Sequence, residues 1–394
     1  MYKKIKIFFR FLFLAGVFVL ILSCQEKEYR HDELIQIPSK GDSIRVKISY
    51  PEKNNHNKII IWSQPPLRDK FLADSVDNPR HTSMDVILRR ALLDSGYINI
   101  EYIERKDSVV YAGRRYRVSD RNTKAKDLDN LLSYISGIKN LKNKKRLLIG
   151  YSEGADINLK IATQKQSEIT GMILLAGSAL TGKETVEYQM KTQLFDRMLI
   201  VTSHGNQERM DATINRMSSL DSYHTADEYG NGTRQFFEEN FVPLDSIIYQ
   251  YKDHETVYAN LDLYLHNRWE KENQDTKDLW EYDFECYYDA FAGSITPQQI
   301  TLKNSNPAEY LPFVECPVLA VHGTQDERID CYPNMERMEE LLSRRKKNYF
   351  QKMILEDYRH NLVKWHEGRY IVEDEVIEQI IDWIHSGNIS SPFF

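Results

Sequence analysis

The chain has 394 residues, 41% hydrophobic and 28% charged, enough apolar material for one large core or a core with an added subdomain. Its formal net charge is −6; residues 1–23 hold four cations (Lys3, Lys4, Lys6, Arg10) and no acids, so the remainder carries 48 cations against 58 acids, a net −10. An acidic body of this kind excludes the clustered Lys and Arg that a phosphate-backbone partner requires, and no nucleic acid is expected as a ligand.

Residues 1–23 read as a signal peptide: Lys3, Lys4 and Lys6 precede Phe11–Leu22, an apolar stretch of 12 residues, and Ser23-Cys24 follows. Even counted from Ile7 the stretch is shorter than the ~20 residues of a membrane span, and Arg10 interrupts it. Ile21-Leu22-Ser23-Cys24 resembles a lipobox, the site at which bacterial lipoproteins are diacylated on cysteine and cut just before it. The resemblance implies a lipid on Cys24 that attaches the chain to a membrane. Gln25 rather than an aspartate after that cysteine implies delivery to the outer membrane of a bacterial envelope, facing the periplasm or the surface. Residues 24–33 are then a tether.

Leu34–Ile37 and Ile44–Tyr50 read as strands joined by the turn-forming Pro38-Ser39-Lys40-Gly41-Asp42, and Lys58–Trp62 is a compact apolar strand. Thr82 or Ser83 can cap a helix whose apolar face is Met84, Ile87, Leu88, Ala91 and Leu92, ended by Gly96. Tyr97–Tyr102 is a strand and Lys124–Lys139 a helix, followed by strand Arg146–Ile149, helix Ala155–Gln166 and strand Gly171–Ala176. From 177 to 315 the pattern changes to helix-like segments crowded with aromatics, among them Tyr249, Tyr251, Trp269 and Trp280. The alternation then resumes with strand Pro317–His322, helix Asn334–Arg345, strand Phe350–Leu355 and helix Glu373–Ile384. Strands alternating with helices make a mostly parallel sheet covered on both faces. The chain thus divides into a core in two parts, 34–176 and 316–394, and a largely helical cap at 177–315 inserted before the strand at 317. Three cysteines besides Cys24 give no complete disulfide framework. Cys316 and Cys331 bracket a strand and its following loop, too far apart for a bridge; they and Cys286 are expected as reduced, mostly buried thiols. No spacing suggests zinc, and no metal or organic cofactor is expected.

Gly150-Tyr151-Ser152-Glu153-Gly154 fits G-x-S-x-G between a strand and a helix, the context of a nucleophile elbow. Serine is a poor nucleophile until a base removes its proton, so an acid and then a histidine are expected at later strand ends. Asp326 follows the strand at 317–322 and His360 follows the strand at 350–355; Asp330 and His366 are the nearest rivals. The N–H of Glu153, at the helix start, is the first candidate oxyanion donor. The second comes from the loop after Trp62, where Pro65 and Pro66 have no N–H and Gln64 is the remaining candidate.

With Leu174-Leu175-Ala176-Gly177-Ser178-Ala179-Leu180 and Pro317-Val318-Leu319-Ala320-Val321-His322-Gly323, these residues resemble capped bacterial α/β-hydrolases, the esterases and serine-aminopeptidase-like proteins. The resemblance covers about residues 58–385. It implies an α/β-hydrolase fold and hydrolysis of a small acyl substrate, first an ester, otherwise an amide or thioester, through an acyl-enzyme on Ser152, His360 and Asp326. The chain departs from the family at Pro65-Pro66, where an oxyanion loop is glycine-rich, and at Glu104-Arg105-Lys106-Asp107, where Arg-Gly-x-Gly is frequent. A binding lipoprotein on the same scaffold is the competing class. Oligomeric state is not encoded in any feature of the sequence.

Overall fold

The computed structural model of the chain describes residues 31–39, 42–54, 56–63, 83–103, 107–111, 114–118, 121–189, 254–272, 302–344, 349–367 and 369–386, with single positions at 247, 250, 274, 277 and 300. Its strands are β1 (His31–Ser39), β2 (Asp42–Tyr50), β3 (Lys58–Ser63), β4 (Ile98–Ile103), β5 (Asp107–Tyr111), β6 (Arg114–Val118), β7 (Lys145–Tyr151), β8 (Ile169–Leu175), β9 (Val318–Gly323), β10 (Phe350–Leu355), β11 (Lys364–His366) and β12 (Arg369–Ile371). The helices are α1 (Met84–Asp94), α2 (Arg121–Ile135), α3 (Glu153–Gln164), α4 (His254–Trp269), α5 (Cys331–Ser343) and α6 (Asp374–Ser386), with a short one over 182–189.

Eight strands pair in the order β1-β2-β4-β3-β7-β8-β9-β10, while β5-β6 and β11-β12 form separate hairpins. β2 pairs antiparallel with both β1 and β4, and every other pair in the large sheet is parallel. This order, with the second strand alone reversed, is the α/β-hydrolase fold.

The alternation of side chains along each central strand divides the core into two clusters, one on each face. Ile59 and Ile61 of β3, Met172 and Leu174 of β8, and Val318 and Ala320 of β9 meet α2, α3 and α5 through Leu128, Leu132, Ile157 and Met335. Ile60 and Trp62, Ile173 and Leu175, and Leu319 and Val321 point the other way, onto Met84 and Leu88 of α1 and Ile380 and Trp383 of α6. Each such side chain contributes about 1.5–3 kcal/mol on burial, so these strands have no freedom to slip by one residue and exchange faces.

The elements expected from the sequence are present, with shifted ends. β1 begins at His31, so His31–Glu33 of the segment read as tether belong to the sheet. α5 begins at Cys331 rather than Asn334, because Pro333 is tolerated in the first turn and Asp330 occupies the N-cap. The β5-β6 and β11-β12 hairpins were not foreseen.

Of the segment 177–315, α4 buries Val257, Leu261 and Leu265 at four-residue spacing, and two 3-10 turns cover Pro307–Glu309 and Leu311–Phe313. Ala179 at one end and Leu311 and Val314 at the other lie in the same cluster as Met335 and Leu341 of the hydrolase core. Cys316 and Cys331 are buried and form no disulfide. Residues 1–23, read above as a signal peptide, and Cys24, Gln64, Pro65-Pro66, Cys286, Tyr249, Tyr251 and Trp280 lie outside the described residues.

Candidate active site

β7 ends at Tyr151 and α3 begins at Glu153, leaving Ser152 to make the whole reversal from strand to helix. It does so with φ 51° and ψ −120°, a conformation that non-glycine residues rarely adopt and that costs on the order of 1–3 kcal/mol. Bonds from Ser152 N–H to the Leu175 carbonyl (2.8 Å) and from Ala155 N–H to the Ser152 carbonyl (3.0 Å) hold it there. The turn is so tight that a Cβ on Gly150 would lie 2.6 Å from the Ala155 N and Cα and from the Gly154 carbonyl. A Cβ on Gly177, after β8, would meet the Ala155 Cβ at the same distance.

Asp326 and His360 leave adjacent strands whose register pairs Gly323 with Leu355. The two loops are bonded together: Thr324 N–H to the Leu355 carbonyl (3.0 Å), Gln325 N–H to the Tyr358 carbonyl (2.9 Å) and Asp357 N–H to the Thr324 Oγ1 (2.9 Å). A Cβ on Gly323 would stand 2.1 Å from the Tyr358 carbonyl oxygen, so glycine is what permits this approach. Asp357 and Leu362, both with positive φ, turn the chain on either side of His360.

The result is a hydrogen-bonded line. His360 Nε2 lies 3.1 Å from the Ser152 Oγ, and its Nδ1 lies 2.9 Å from both oxygens of Asp326. Asp326 is 2% and His360 4% exposed, while Ser152 is half-buried and accessible at the end of the line. The Asp326 Oδ1 also accepts from the N–H groups of Arg328 (2.8 Å) and Ile329 (3.0 Å). Burial by itself would raise the Asp326 pKa, but the His360 and His322 rings outweigh it and hold the carboxyl well below the usual carboxylate range. A carboxylate beside Nδ1 fixes the imidazole with its Nε2 lone pair toward Ser152, the tautomer that can accept a hydroxyl proton.

Around this line are groups that sequence reasoning did not find. The His322 Nε2 stands 3.0 Å from the Asp326 Oδ2; its signal was a polar side chain closing an otherwise apolar strand. Tyr151 donates to the His360 carbonyl (3.2 Å) and Tyr188 to the Asp326 carbonyl (2.9 Å), and burial pushes both phenols up, keeping them protonated donors. Behind the elbow, Lys124 of α2 and Glu153 form a buried ion pair at 2.6 Å, and Arg121 pairs with Asp156 at 2.5 Å. Nothing in the spacing of α2 distinguished Lys124 from a solvated helix residue.

Of the rivals, Asp330 is the N-cap of α5, and His366 is exposed on the β11-β12 hairpin beside Glu367. The oxyanion candidates divide. Glu153 opens α3, where helix N–H groups favour negative charge. Gln64 lies outside the described residues, but its neighbour Ser63 pairs with Gly150 across β3 and β7 and donates to the Asn158 Oδ1 of α3 (2.7 Å). β3 therefore ends directly beside the elbow.

No protein-family model matches the chain, and no curated protein matches it. Solved structures similar to it include an esterase of Pyrococcus furiosus, at 11% identity and a TM-score of 0.45 over 90% of both chains. An esterase of Exiguobacterium antarcticum is 16% identical, with a TM-score of 0.44 over 89% of this chain and 99% of that one. A dienelactone hydrolase of Anabaena variabilis is 8% identical, with a TM-score of 0.43 over 90% and 97%.

Proposed function

We propose that the chain is a serine hydrolase that cleaves an acyl ester, carboxylesterase-like, through an acyl-enzyme on Ser152. The observation that carries this is the accessible Ser152 Oγ, 3.1 Å from an imidazole whose other nitrogen meets a buried carboxylate. In this reading His360 Nε2 takes the Ser152 proton as Oγ attacks the acyl carbonyl, and the resulting imidazolium is held by Asp326. The tetrahedral oxyanion is held by the Glu153 N–H and by a donor from Gln64. Collapse of the intermediate expels the alcohol with the proton from His360, leaving Ser152 acylated. Water then repeats the two steps and releases the acid. Segment 177–315 acts as a cap over Ser152 that sets substrate size. A lipid on Cys24 holds the enzyme in the bacterial envelope, and no cofactor takes part.

The test is a fluorophosphonate probe on the folded mature protein at neutral pH, with Ser152→Ala as control, followed by a panel of short-chain and aryl esters, thioesters and aminoacyl amides. Ser152-dependent labelling with ester turnover is expected. Absence of labelling refutes the enzyme reading in favour of a binding lipoprotein, and turnover confined to amides or thioesters makes it a peptidase or thioesterase. Loss of detergent-phase partition in Cys24→Ala checks the anchor.

A further inference from the structure

His322 is the penultimate residue of β9, 1% exposed, and each of its ring nitrogens has a definite role. Nε2 faces two acceptors, the Asp326 Oδ2 at 3.0 Å and the Ile329 carbonyl at 3.3 Å, and so must carry the ring proton. Nδ1 faces the Asn334 side-chain amide at 3.4 Å. The orientation of that amide is set independently: Asn334 Oδ1 accepts from the Ala179 N–H (2.6 Å) and Nδ2 donates to the Gly177 carbonyl (2.9 Å). Nδ2 is therefore the atom presented to Nδ1, which acts as an acceptor and holds no proton. A relay runs from the loop after β8, through Asn334 on α5 and His322 on β9, to the carboxylate that holds His360.

The two oxygens of that carboxylate are held differently. Backbone N–H groups of Arg328 and Ile329 fix Oδ1, while Oδ2 receives His322, and the His360 Nδ1 lies 2.9 Å from both oxygens. With His322 absent, rotation of the carboxyl group about its bond to Cβ would be opposed at Oδ2 by His360 alone, the ring that Asp326 has to orient. We propose that His322 is a positioning residue, a fixed Nε2–H donor that locks Asp326 against rotation and limits how strongly its charge holds a proton on His360. The proposal rests on the reading of Ser152, His360 and Asp326 as the reacting set. Tyr151, Tyr188, Glu327, Arg328, Asp330, Cys331 and Glu356 also surround this pair. They are unchanged in the variants below, so a difference between variants reads His322.

The experiment compares His322→Gln, which keeps an N–H within reach of Asp326, with His322→Leu, which keeps the volume and removes the donor. Fluorophosphonate labelling of Ser152 is followed against pH, kcat and KM are measured on the best ester, and long-range nitrogen–proton spectra report the imidazole rings. In the wild type His322 is expected as the Nε2–H tautomer. Without the donor the Asp326 charge acts undiluted on His360, so His322→Leu is expected to move the acid-side midpoint of labelling up by about one pH unit. Its plateau kcat falls at least about tenfold with KM nearly unchanged. His322→Gln restores both the midpoint and most of the rate. An Nδ1–H tautomer in the wild type, which needs no variant to observe, overturns the proposal. So does a wild-type midpoint in His322→Leu, or an equal loss in the two variants. If the wild type itself fails to label, the hydrolase reading falls. The His360 ring titration in Ser152→Ala, with and without His322→Leu, then decides the His322 donor separately: an upward shift supports it and no shift refutes it.

Discussion

Replacing Asp326 by Asn tests the site most severely, because the carboxylate accepts four N–H groups and an amide cannot. Oδ1 is claimed by the Arg328 and Ile329 N–H groups at 2.8 and 3.0 Å, so the amide oxygen must stay there and the NH2 group takes the Oδ2 position. There it meets the His322 N–H at 3.0 Å, and the His360 N–H, 2.9 Å from both carboxylate oxygens, keeps as acceptor only an oxygen already claimed by two backbone N–H groups. If His360 yields and moves its proton to Nε2, it can no longer accept the proton of Ser152. If His322 yields, its new Nδ1–H confronts the Asn334 amide. The first outcome costs about 10³–10⁴ in kcat with KM little changed. Leaving one or two buried donors unpaired costs a further about 2–4 kcal/mol of stability. The assays are steady-state hydrolysis of an activated ester and urea unfolding, with Asp330→Asn as the control expected to retain activity. The stability gap should also depend on pH. A carboxyl held below its ordinary value contributes stability that is fully present above the unfolded value of 3.8 and lost as pH falls through the folded value. The difference between wild type and Asp326→Asn therefore narrows below about pH 4. Activity of Asp326→Asn within tenfold of wild type would refute the reasoning about the imidazole.

Three further outcomes follow from the elbow and the charges behind it. Gly150→Ala forces a Cβ to within 2.6 Å of Ala155 and Gly154 backbone, so Ser152 labelling is expected to fall by at least about a hundredfold even in protein that still folds by circular dichroism. Lys124→Met removes the lysine from a buried ion pair with Glu153 and is expected to cost about 3–5 kcal/mol in urea unfolding, while Lys124→Met with Glu153→Gln recovers most of it. Burial, with Glu153 adding to it and Arg121 opposing it, pushes Asp156 up to about 6, so the folded state holds this proton more tightly than the unfolded chain. Wild-type stability should therefore decline as pH rises from about 4 to 6, and Asp156→Asn should flatten that decline in unfolding midpoints measured across the window.

The parts of the molecule most legible in sequence were those where one local rule decides the outcome. The apolar runs Lys58–Trp62 and Gly171–Ala176 could only be central strands, and the glycines around Ser152 only a tight strand-to-helix turn. The meeting of Asp326 and His360 beside Ser152 was legible because all three follow the ends of strands of one sheet. Lys124, His322 and Asn334 were not, since each depends on what another element brings opposite it. Lys124 sits on a helix whose spacing offers no reason to bury a lysine, and Glu153 of the next helix supplies that reason. The β11-β12 hairpin was missed because its strands run to three residues, too short to establish a period, and the β5-β6 hairpin because Arg114, Arg115 and Arg117 make β6 a mostly charged run.

The geometry of the site depends on strand order more than on any one loop. β8 lies between β7 and β9, so Ser152 and Asp326 leave strands about 10 Å apart, a gap that neither short side chain can close alone. The imidazole fills that gap, but His360 comes from β10, one strand farther out, and must be carried back over β9. Bonds from Thr324, Gln325 and Asp357 bind the returning loop to the acid loop. Asp326 and His360 thus form one rigid unit, fixed by the Gly323–Leu355 register, and that unit faces a Ser152 held by β7 and α3. Under the proposed hydrolase reading, disturbances within the β9-β10 unit should therefore reach Ser152 through the His360 ring and appear in kcat, whereas changes in segment 177–315, proposed as a cap, should appear first in KM.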